Sequence, residues 1–592
     1  MLNKAEKILK DYYGFKNFRK GQRKIIENIL AKKNDTLGVM PTGSGKSISF
    51  QIPALCLPGL TVVISPLISL MKDQTDSLKT IGIKADYINS TLSFSEKKRR
   101  ITGMINMKYD LLYVAPERLK DNYFINRLKQ VEVSHVAVDE AHCISSWGHD
   151  FRPSYRMIPE FIKVLDTDPV VSAFTATATK RVRRDIQNLL NLDRLVLTGF
   201  DRPNLNFKIK KGVDKKEYIK NYIKVNKNDS GIIYVSTRKK VEKLYKYLNR
   251  RGFEVGKYHA GLSPAERKSV QEKFNREKLK IIVATNAFGM GIDKSNIRYV
   301  IHNNIPKNIE AYYQEAGRAG RDGEKSDCIL LYSADDIRIP KYFIEKSNLK
   351  PELKRNEYYK LQKMIDYCHT SKCLRYFILD YFGQKNPPKT CNSCSNCDNE
   401  IDFKNITDIA YKIISCIKRT GQRYGITKIA CILKGSRRKD ILERNLDQAI
   451  NYKALSSFTI KEIKNYINFL IAEDFIKITN GKYPILKLKE NSIDVLQNNK
   501  KVYKKDEKKV EKITADNKLF EILRKLRLNI AKKESIPPYI VFHDSTLKEM
   551  SDFLPQTREE MLKIKGVGKI KYRKYGEKFL EKIKNFALQD ND

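Results

Sequence analysis

From about residue 35 to residue 335, short apolar, β-branched runs alternate with amphipathic stretches, and this pattern limits the fold more than any other feature of the chain. TLGVM (36–40), TVVIS (61–65), LLYVA (111–115), HVAVD (135–139) and VVSAFT (170–175) lack an outward polar face, as strands covered by helices on both sides do. A second series follows: GIIYV (231–235), KIIVAT (280–285), RYVIHNN (298–304) and CILLYS (328–333). Repeated strand–helix alternation predicts two tandem, doubly wound, parallel-sheet α/β domains. The join falls near GFDRPNLNF (199–207), where Pro203 interrupts the pattern. No run of 18 apolar residues occurs, so no spanning helix is expected. The first residues, MLNKAEKILKDYYGF, lack the apolar core of a secretory signal, so a cytoplasmic protein is expected.

The rest of the chain reads as smaller units. Residues 336–400 look helical and end in a cysteine cluster. Between 405 and 495, helical patterns precede FIKITNGKYPILKL (475–488), where Asn480-Gly481 between apolar runs predicts a short hairpin. Helices followed by one hairpin predict a winged helix. The stretch 498–512 is nearly all charge and reads as a linker, and 513–592 reads as a small helical domain. The expected divisions are therefore 1–200, 201–335, 336–400, 401–497, a linker at 498–512, and 513–592. The net charge of +45 points to a polyanionic partner, nucleic acid first. Lysine supplies most of it (81 Lys against 33 Arg), so a composition bias competes with that reading until motifs decide.

The motifs do decide. MPTGSGKS (40–47) follows the first strand and resembles the end of a P-loop, with Met40 in place of the first glycine. Thr42, Gly43, Ser44 and Gly45 would let backbone N–H groups approach the phosphates of ATP. Lys46 would neutralise the β/γ-phosphates, and Ser47 would ligate Mg²⁺. Downstream, HVAV delivers Asp139 and Glu140 at a strand end. Asp139 suits the Mg²⁺ shell and Glu140 the attacking water. Arg318 and Arg321 lie three apart, a spacing that places both on one helical face. They suit arginine fingers reaching the γ-phosphate across a cleft, or a solvated basic face. With two α/β units and one P-loop, the finger reading is preferred.

The set, in order and spacing, resembles superfamily-two helicases and the RecQ family in particular: MPTGSGKS, SPLISLMKDQ (65–74), APERL (115–119), DEAH (139–142), FTATAT (174–179), YVSTRKK (234–240), ATNAFGMGIDK (284–294) and QEAGRAGRDG (314–323). YGFKNFRKGQ (13–22) resembles the family's adenine-binding motif. The resemblance implies that Phe15 and Arg19 sandwich adenine and that Gln22 reads its edge. CISSWGHDFRPSY (143–155) resembles the aromatic-rich loop that couples DNA to hydrolysis. It holds Trp147, the chain's only tryptophan, with Phe151 and Arg152. Aromatics and arginine in a polar segment suit stacking on unpaired bases, at about 1–3 kcal/mol per base. Core packing is the competing role for Trp147. Ser65, Thr175 and Thr177 carry hydroxyls suited to phosphate or interdomain hydrogen bonds.

Cys391, Cys394 and Cys397 form a tight triplet suited to tetrahedral Zn²⁺, with Cys368, Cys373 or His369 available as the fourth ligand. An iron–sulfur cluster is the alternative metal group. CLRYFILDYFG (373–383) resembles the RecQ zinc segment, which selects Cys373. Residues 407–442 resemble the family's winged helix, and 514–590 its HRDC domain. In the latter, Gly566, Gly568 and Lys569 suit either a backbone-phosphate contact or an interhelical turn. The resemblance implies two RecA-like lobes, a helical zinc-binding module, a winged helix and a small all-α HRDC domain. It implies an ATP-dependent DNA helicase with ATP, Mg²⁺ and structural Zn²⁺, moving 3′ to 5′ on single-stranded DNA. Expected partners are single-stranded, duplex-junction and branched DNA, with a single-stranded-DNA-binding protein as a further candidate. A cytoplasmic monomer is expected, associated with the nucleoid if the source is bacterial, and without membrane. An RNA-directed helicase and a non-catalytic binding or annealing protein remain the alternatives.

Overall fold

A computed structural model describes residues 1–31, 34–289, 294–397, 402–506 and 518–589. The first α/β unit carries β1 (Thr36–Val39), β2 (Leu60–Ile64), β3 (Ala85–Ile88), β4 (Leu111–Val114), β5 (Val133–Val138), β6 (Val170–Thr175) and β7 (Arg194–Leu197). They form one sheet in the order β3-β4-β2-β5-β6-β1-β7, and every pairing is parallel. The second unit carries β8 (Leu205–Lys211), β9 (Ser230–Tyr234), β10 (Val255–Tyr258), β11 (Ile281–Ala284), β12 (Ile297–His302) and β13 (Ser326–Tyr332). Its order is β10-β11-β9-β12-β13-β8, again parallel. Strands β1, β2, β4 and β6 are buried along their whole length. Parallel neighbours need crossovers, so β1 and β5 both discharge their C-terminal loops at one end of the sheet, where ligands bind in such folds.

Burial in this sheet makes a pH prediction. His135 on β5 is fully buried, and its Nε2 lies 2.7 Å from Ser172 Oγ on β6. Burial alone drives its imidazole down to about 3. The folded protein therefore keeps His135 neutral where the unfolded chain, titrating near 6.5, takes up a proton. The stabilisation is complete above about pH 6.5 and is lost as pH falls toward 3. Between pH 7.5 and 5.5 the stability advantage of wild type over His135→Gln should shrink by about 1.4 kcal/mol. Paired thermal melts at both pH values check this; a constant difference contradicts it.

Beyond the lobes, helices Pro351–His369 and Leu374–Tyr381 lead into the cysteine cluster. Helices Thr407–Arg419, Ile426–Lys434 and Ile460–Ala472 then pack around their own apolar core. In this unit β14 (Asp402–Asn405) pairs antiparallel with β17 (Tyr503–Asp506), and β15 (Ile476–Ile478) with β16 (Leu486–Leu488). One expectation changes here. The stretch 498–512 is not a plain linker: its first part holds β17, and Val502 is buried in the winged-helix core. Residues 507–512 lie outside the described residues. The hairpin expected around Asn480-Gly481 is present, with residues 479–485 between its two paired strands. The paired strands end at Ile478 and Leu486, and Thr479 N still donates to Ile485 O at 3.0 Å.

The terminal helical unit docks on both lobes. Arg527, fully buried, donates to Asp544 (2.7 Å) within its own unit and reaches Glu277 of the second lobe at 3.4 Å. Glu277 also meets Lys294. Burial pushes this carboxyl up, but Lys294 and Arg527 outweigh burial and hold it at about 2. On the first lobe, Gly14 closes helix Leu2–Tyr13 in a left-handed conformation, and a Cβ there would come 2.5 Å from Gly568 N. Gly566 N donates to Gly14 O at 3.3 Å, and Lys569 lies 3.7 Å from Asp11. The Gly566–Gly568 segment is thus covered by this lobe.

Candidate nucleotide and nucleic-acid site

Between β1 and helix Ile48–Cys56, Gly43 and Gly45 take left-handed φ values of +78° and +83°. A side chain at Gly45 would come within 2.6 Å of Gln22 Nε2. Met40 needs no glycine conformation. It extends the β1 register, its N–H donating to Thr175 O at 3.0 Å, and its side chain is buried in the core. The loop directs Lys46 toward β5, and Lys46 Nζ lies 3.8 Å from Glu140 Oε1.

Asp139 and Glu140 follow β5 as expected. Glu140 has φ +48°, a strained conformation for a non-glycine residue of the kind that gathers at functional sites. Asp139 is buried; burial and the adjacent Glu140 charge raise its carboxyl to about 6. Burial also works against the charged Glu140, but Lys46 and His142 outweigh it and hold Glu140 well below the usual carboxylate range. His142 Nδ1 lies 3.3 Å from Glu140 Oε2 and 3.0 Å from Thr175 Oγ1, so it ties the carboxylate to the end of β6. That hydroxyl serves a contact inside the first lobe. The Ser65 and Thr177 side chains are buried as well.

The adenine-motif residues touch the same loop. Arg19 Nη1 donates to Gly43 O (2.6 Å), and Gln22 Nε2 donates to Ser44 O (3.1 Å) and Gly45 O (3.0 Å). In this structure the Gln22 amide is therefore engaged by the loop backbone. The Arg19 guanidinium stands 6.0 Å from the Phe15 ring centroid. A flat ring stacked between them needs about 7 Å, so insertion requires a small opening.

Arg318 and Arg321 do not share a helix face. Helix Ile309–Ala316 ends before them, and Gly317 and Gly320, the latter at φ +56°, carry the chain through a turn. Both arginines still line the cleft that holds Thr42, Glu140 and His142 of the first lobe. The residue that fastens this cleft carries no sequence motif. Arg202 is buried; its guanidinium donates to Thr42 O on one lobe and to Gly317 O (3.2 Å), Ala319 O (2.9 Å) and Gly320 O (2.7 Å) on the other. No spacing marks Arg202, because its partners are carbonyl oxygens. Arg375, also unmarked by spacing, is buried beside it and donates to Asp201 (2.7 Å), Arg202 O (2.5 Å) and Leu205 O (2.6 Å).

The aromatic-rich loop runs along the same cleft. Phe151 is exposed at 40%. Arg152 donates to Pro66 O (2.8 Å) and to Asp150 (3.3 Å). The half-buried Trp147 packs on the main core, and the Arg181 guanidinium lies 3.1 Å from its ring centroid. Met290 and Gly291 of the ATNAFGMGIDK segment lie outside the described residues.

Cys373, Cys391, Cys394 and Cys397 bring their sulfur atoms within 4.8 Å of one another. Cys373 Sγ and Cys394 Sγ are 3.9 Å apart, close to the ~3.8 Å edge of a tetrahedron with Zn–S bonds of about 2.3 Å. Cys373 caps helix Leu374–Tyr381 and accepts from Tyr376 N. Cys368 stays buried elsewhere, and His369 Nε2 is 2.9 Å from Tyr332 Oη. Four protein sulfurs leave no open position, which makes this a structural zinc site.

Family profiles match along the chain: DEAD/DEAH box helicase at residues 19–186, helicase conserved C-terminal domain at 214–323, RecQ zinc-binding at 334–398, RQC domain at 400–512 and HRDC domain at 516–583. The chain is 46% identical to the ATP-dependent DNA helicase RecQ of Bacillus subtilis, covering 99% of both chains. It is 38% identical to the ATP-dependent DNA helicase RecQ of Haemophilus influenzae, over 99% of this chain and 98% of that one. The RecQ helicase of Pasteurella multocida is also 38% identical, over 97% and 93%. With these relatives matched over nearly their full length and all five profiles in order, the chain belongs to the RecQ family of ATP-dependent DNA helicases.

Proposed function

We propose that ATP hydrolysis in the interlobe cleft drives the protein 3′ to 5′ along single-stranded DNA and so unwinds duplex and branched DNA in recombination, repair and fork maintenance. The observation that carries this reading is the cleft itself: Thr42 and Glu140 of the first lobe face Arg318 and Arg321 of the second. Thr42, Gly43, Ser44 and Gly45 cradle the phosphates, and Lys46 neutralises them. Phe15, Arg19 and Gln22 hold the adenine. Mg²⁺ bound with ATP would be held at Ser47 and Asp139 and would offset phosphate charge. Glu140 orients the attacking water, its charge retained by Lys46 and His142. Arg318 and Arg321 meet the γ-phosphate when the lobes close. Cys373, Cys391, Cys394 and Cys397 hold the zinc.

Trp147 and Phe151 receive bases, and Arg152 braces the loop between Pro66 and Asp150. Trp147→Ala is therefore expected to leave DNA-independent turnover near wild type while cutting stimulation by oligo-dT about 10- to 100-fold, the equivalent of one lost base stack. Steady-state ATPase titrations with oligo-dT and oligo-U check both the coupling and the polymer. Unchanged stimulation of the variant means that Trp147 only packs, and stimulation by RNA alone favours the RNA-directed reading.

The same reading divides the chain into lobes 1–200 and 201–335, a zinc unit 336–400, a winged helix extended to about residue 506, and the terminal helical unit. No helix among the described residues is long and apolar enough to cross a membrane. A monomer in the cytoplasm, at the nucleoid and in contact with single-stranded-DNA-binding protein, completes the proposal.

A further inference from the structure

The aromatic-rich loop is gripped from outside its own lobe. Lys360 sits on helix Pro351–His369 of the zinc region and is 5% exposed, an unusual place for a lysine. Its Nζ donates to Trp147 O at 2.9 Å and reaches Gly148 O at 3.5 Å. Glu357, one turn earlier on the same helix, pairs with it at 3.0 Å. A buried cation is costly unless such partners compensate it, so the position is built to hold this charge. The next residue is gripped as well: Lys307 of the second lobe donates to His149 O at 2.7 Å.

The gripped segment leads straight to the hydrolytic carboxylate. The His149 ring stacks on His142 with centroids 4.4 Å apart, and His142 lies 3.3 Å from Glu140. Gly148 admits no side chain, since a Cβ there would come 2.4 Å from His142 O. The same zinc-region helix also reaches the other face of the loop. Arg181, which covers the Trp147 ring, lies 3.8 Å from Glu352. A base that displaces Arg181 from Trp147 therefore pushes on a loop whose backbone is fixed at Lys360.

We propose that Lys360 is a positioning residue for DNA-coupled hydrolysis: by holding the Trp147 and Gly148 carbonyls it makes a base stacked on Trp147 move the His149–His142 stack, and with it Glu140, rather than the loop alone. This rests on the reading of Trp147 as the coupling residue. The zinc region then contributes directly to turnover, through one ammonium group, besides folding its own segment.

The test compares full-length Lys360→Met, Lys360→Arg, Glu357→Gln and Trp147→Ala, with zinc content and thermal midpoint measured on each. Lys360→Met is expected to keep its zinc and its DNA-independent turnover within about twofold, and to lose about tenfold in oligo-dT-stimulated turnover, the rate equivalent of 1.4 kcal/mol. Lys360→Arg should recover most of that loss. Glu357→Gln, which leaves the lysine in place without its aiming carboxylate, should show a smaller loss in the same direction. Wild-type stimulation in Lys360→Met alongside a stimulation-dead Trp147→Ala overturns the role of Lys360 and leaves the coupling reading intact. Wild-type stimulation in Trp147→Ala sinks that reading itself. Equal losses of basal and stimulated turnover make Lys360 merely structural; if Lys360→Met does not fold, wild-type stimulation in Glu357→Gln counts against the proposal.

Discussion

Lys46→Ala should lower ATP turnover on single-stranded DNA by about 10²–10³-fold or more while leaving DNA affinity close to wild type. Lys46 is the cation that the Gly43–Gly45 turn directs into the cleft, and Glu140 stands 3.8 Å from it. In the proposed role, removing the ammonium would take away the charge that meets the phosphates, and it would also remove the main attraction that keeps Glu140 charged. Both losses act on the chemical step. DNA affinity should survive because it comes from many dispersed contacts on a chain of net charge +45. That affinity should fall steeply with salt in wild type and variant alike, whereas turnover at saturating DNA should separate them at every salt concentration. Retained turnover in Lys46→Ala would refute the P-loop assignment.

Cys394→Ser should abolish zinc binding and take the fold of its neighbourhood with it. Structural zinc contributes on the order of 10 kcal/mol to small units of this kind, and a serine hydroxyl does not replace a thiolate ligand. Cys394 is 4% exposed and forms a bridge with Phe207 at the edge of β8, while Ser395 N donates to Phe207 O at 2.9 Å. The loop is thus fastened to the edge strand of the second lobe's sheet by one isolated bridge. Next to it, Arg375 grips the interlobe connection at Asp201, Arg202 and Leu205. Loss of the metal should therefore loosen the join between the lobes as well as the cysteine loop. Metal analysis should give one zinc per wild-type chain and almost none in the variant, with a lower thermal midpoint and poorer solubility. A metal-free wild type of full stability contradicts this, and iron in place of zinc would assign a cluster.

The strands that the sequence revealed and those it hid differ by position. All nine strands expected in the two lobes lie inside the lobes' sheets, where burial on both faces demands an unbroken apolar run. Within the two lobes, the strands without such a run, β3, β7, β8 and β10, are the four edges. Arg194–Leu197 is mostly exposed, and Leu205–Lys211 alternates apolar with polar residues in the manner of a half-covered strand. The site shows the same division. Lys46 and Glu140, and the four cysteines, come together from motifs whose proposed chemistry needs fixed residue types at fixed spacing. Arg202, Lys360 and Arg375 are not legible in this way, because each bonds backbone oxygens whose positions only the folded chain defines. Gly317 and Gly320 end the helix that the three-residue spacing of Arg318 and Arg321 predicts.

ATP turnover in this cleft is proposed to move the protein along DNA in one direction. Unwinding of a tailed DNA duplex tests it most directly, with a 3′ tail or a 5′ tail, with and without ATP, for wild type and Lys46→Ala. The account predicts strand separation by wild type only with ATP and a 3′ single-stranded tail, and none by the variant. ATP-independent separation, separation by Lys46→Ala equal to wild type, or preference for the 5′ tail would contradict it.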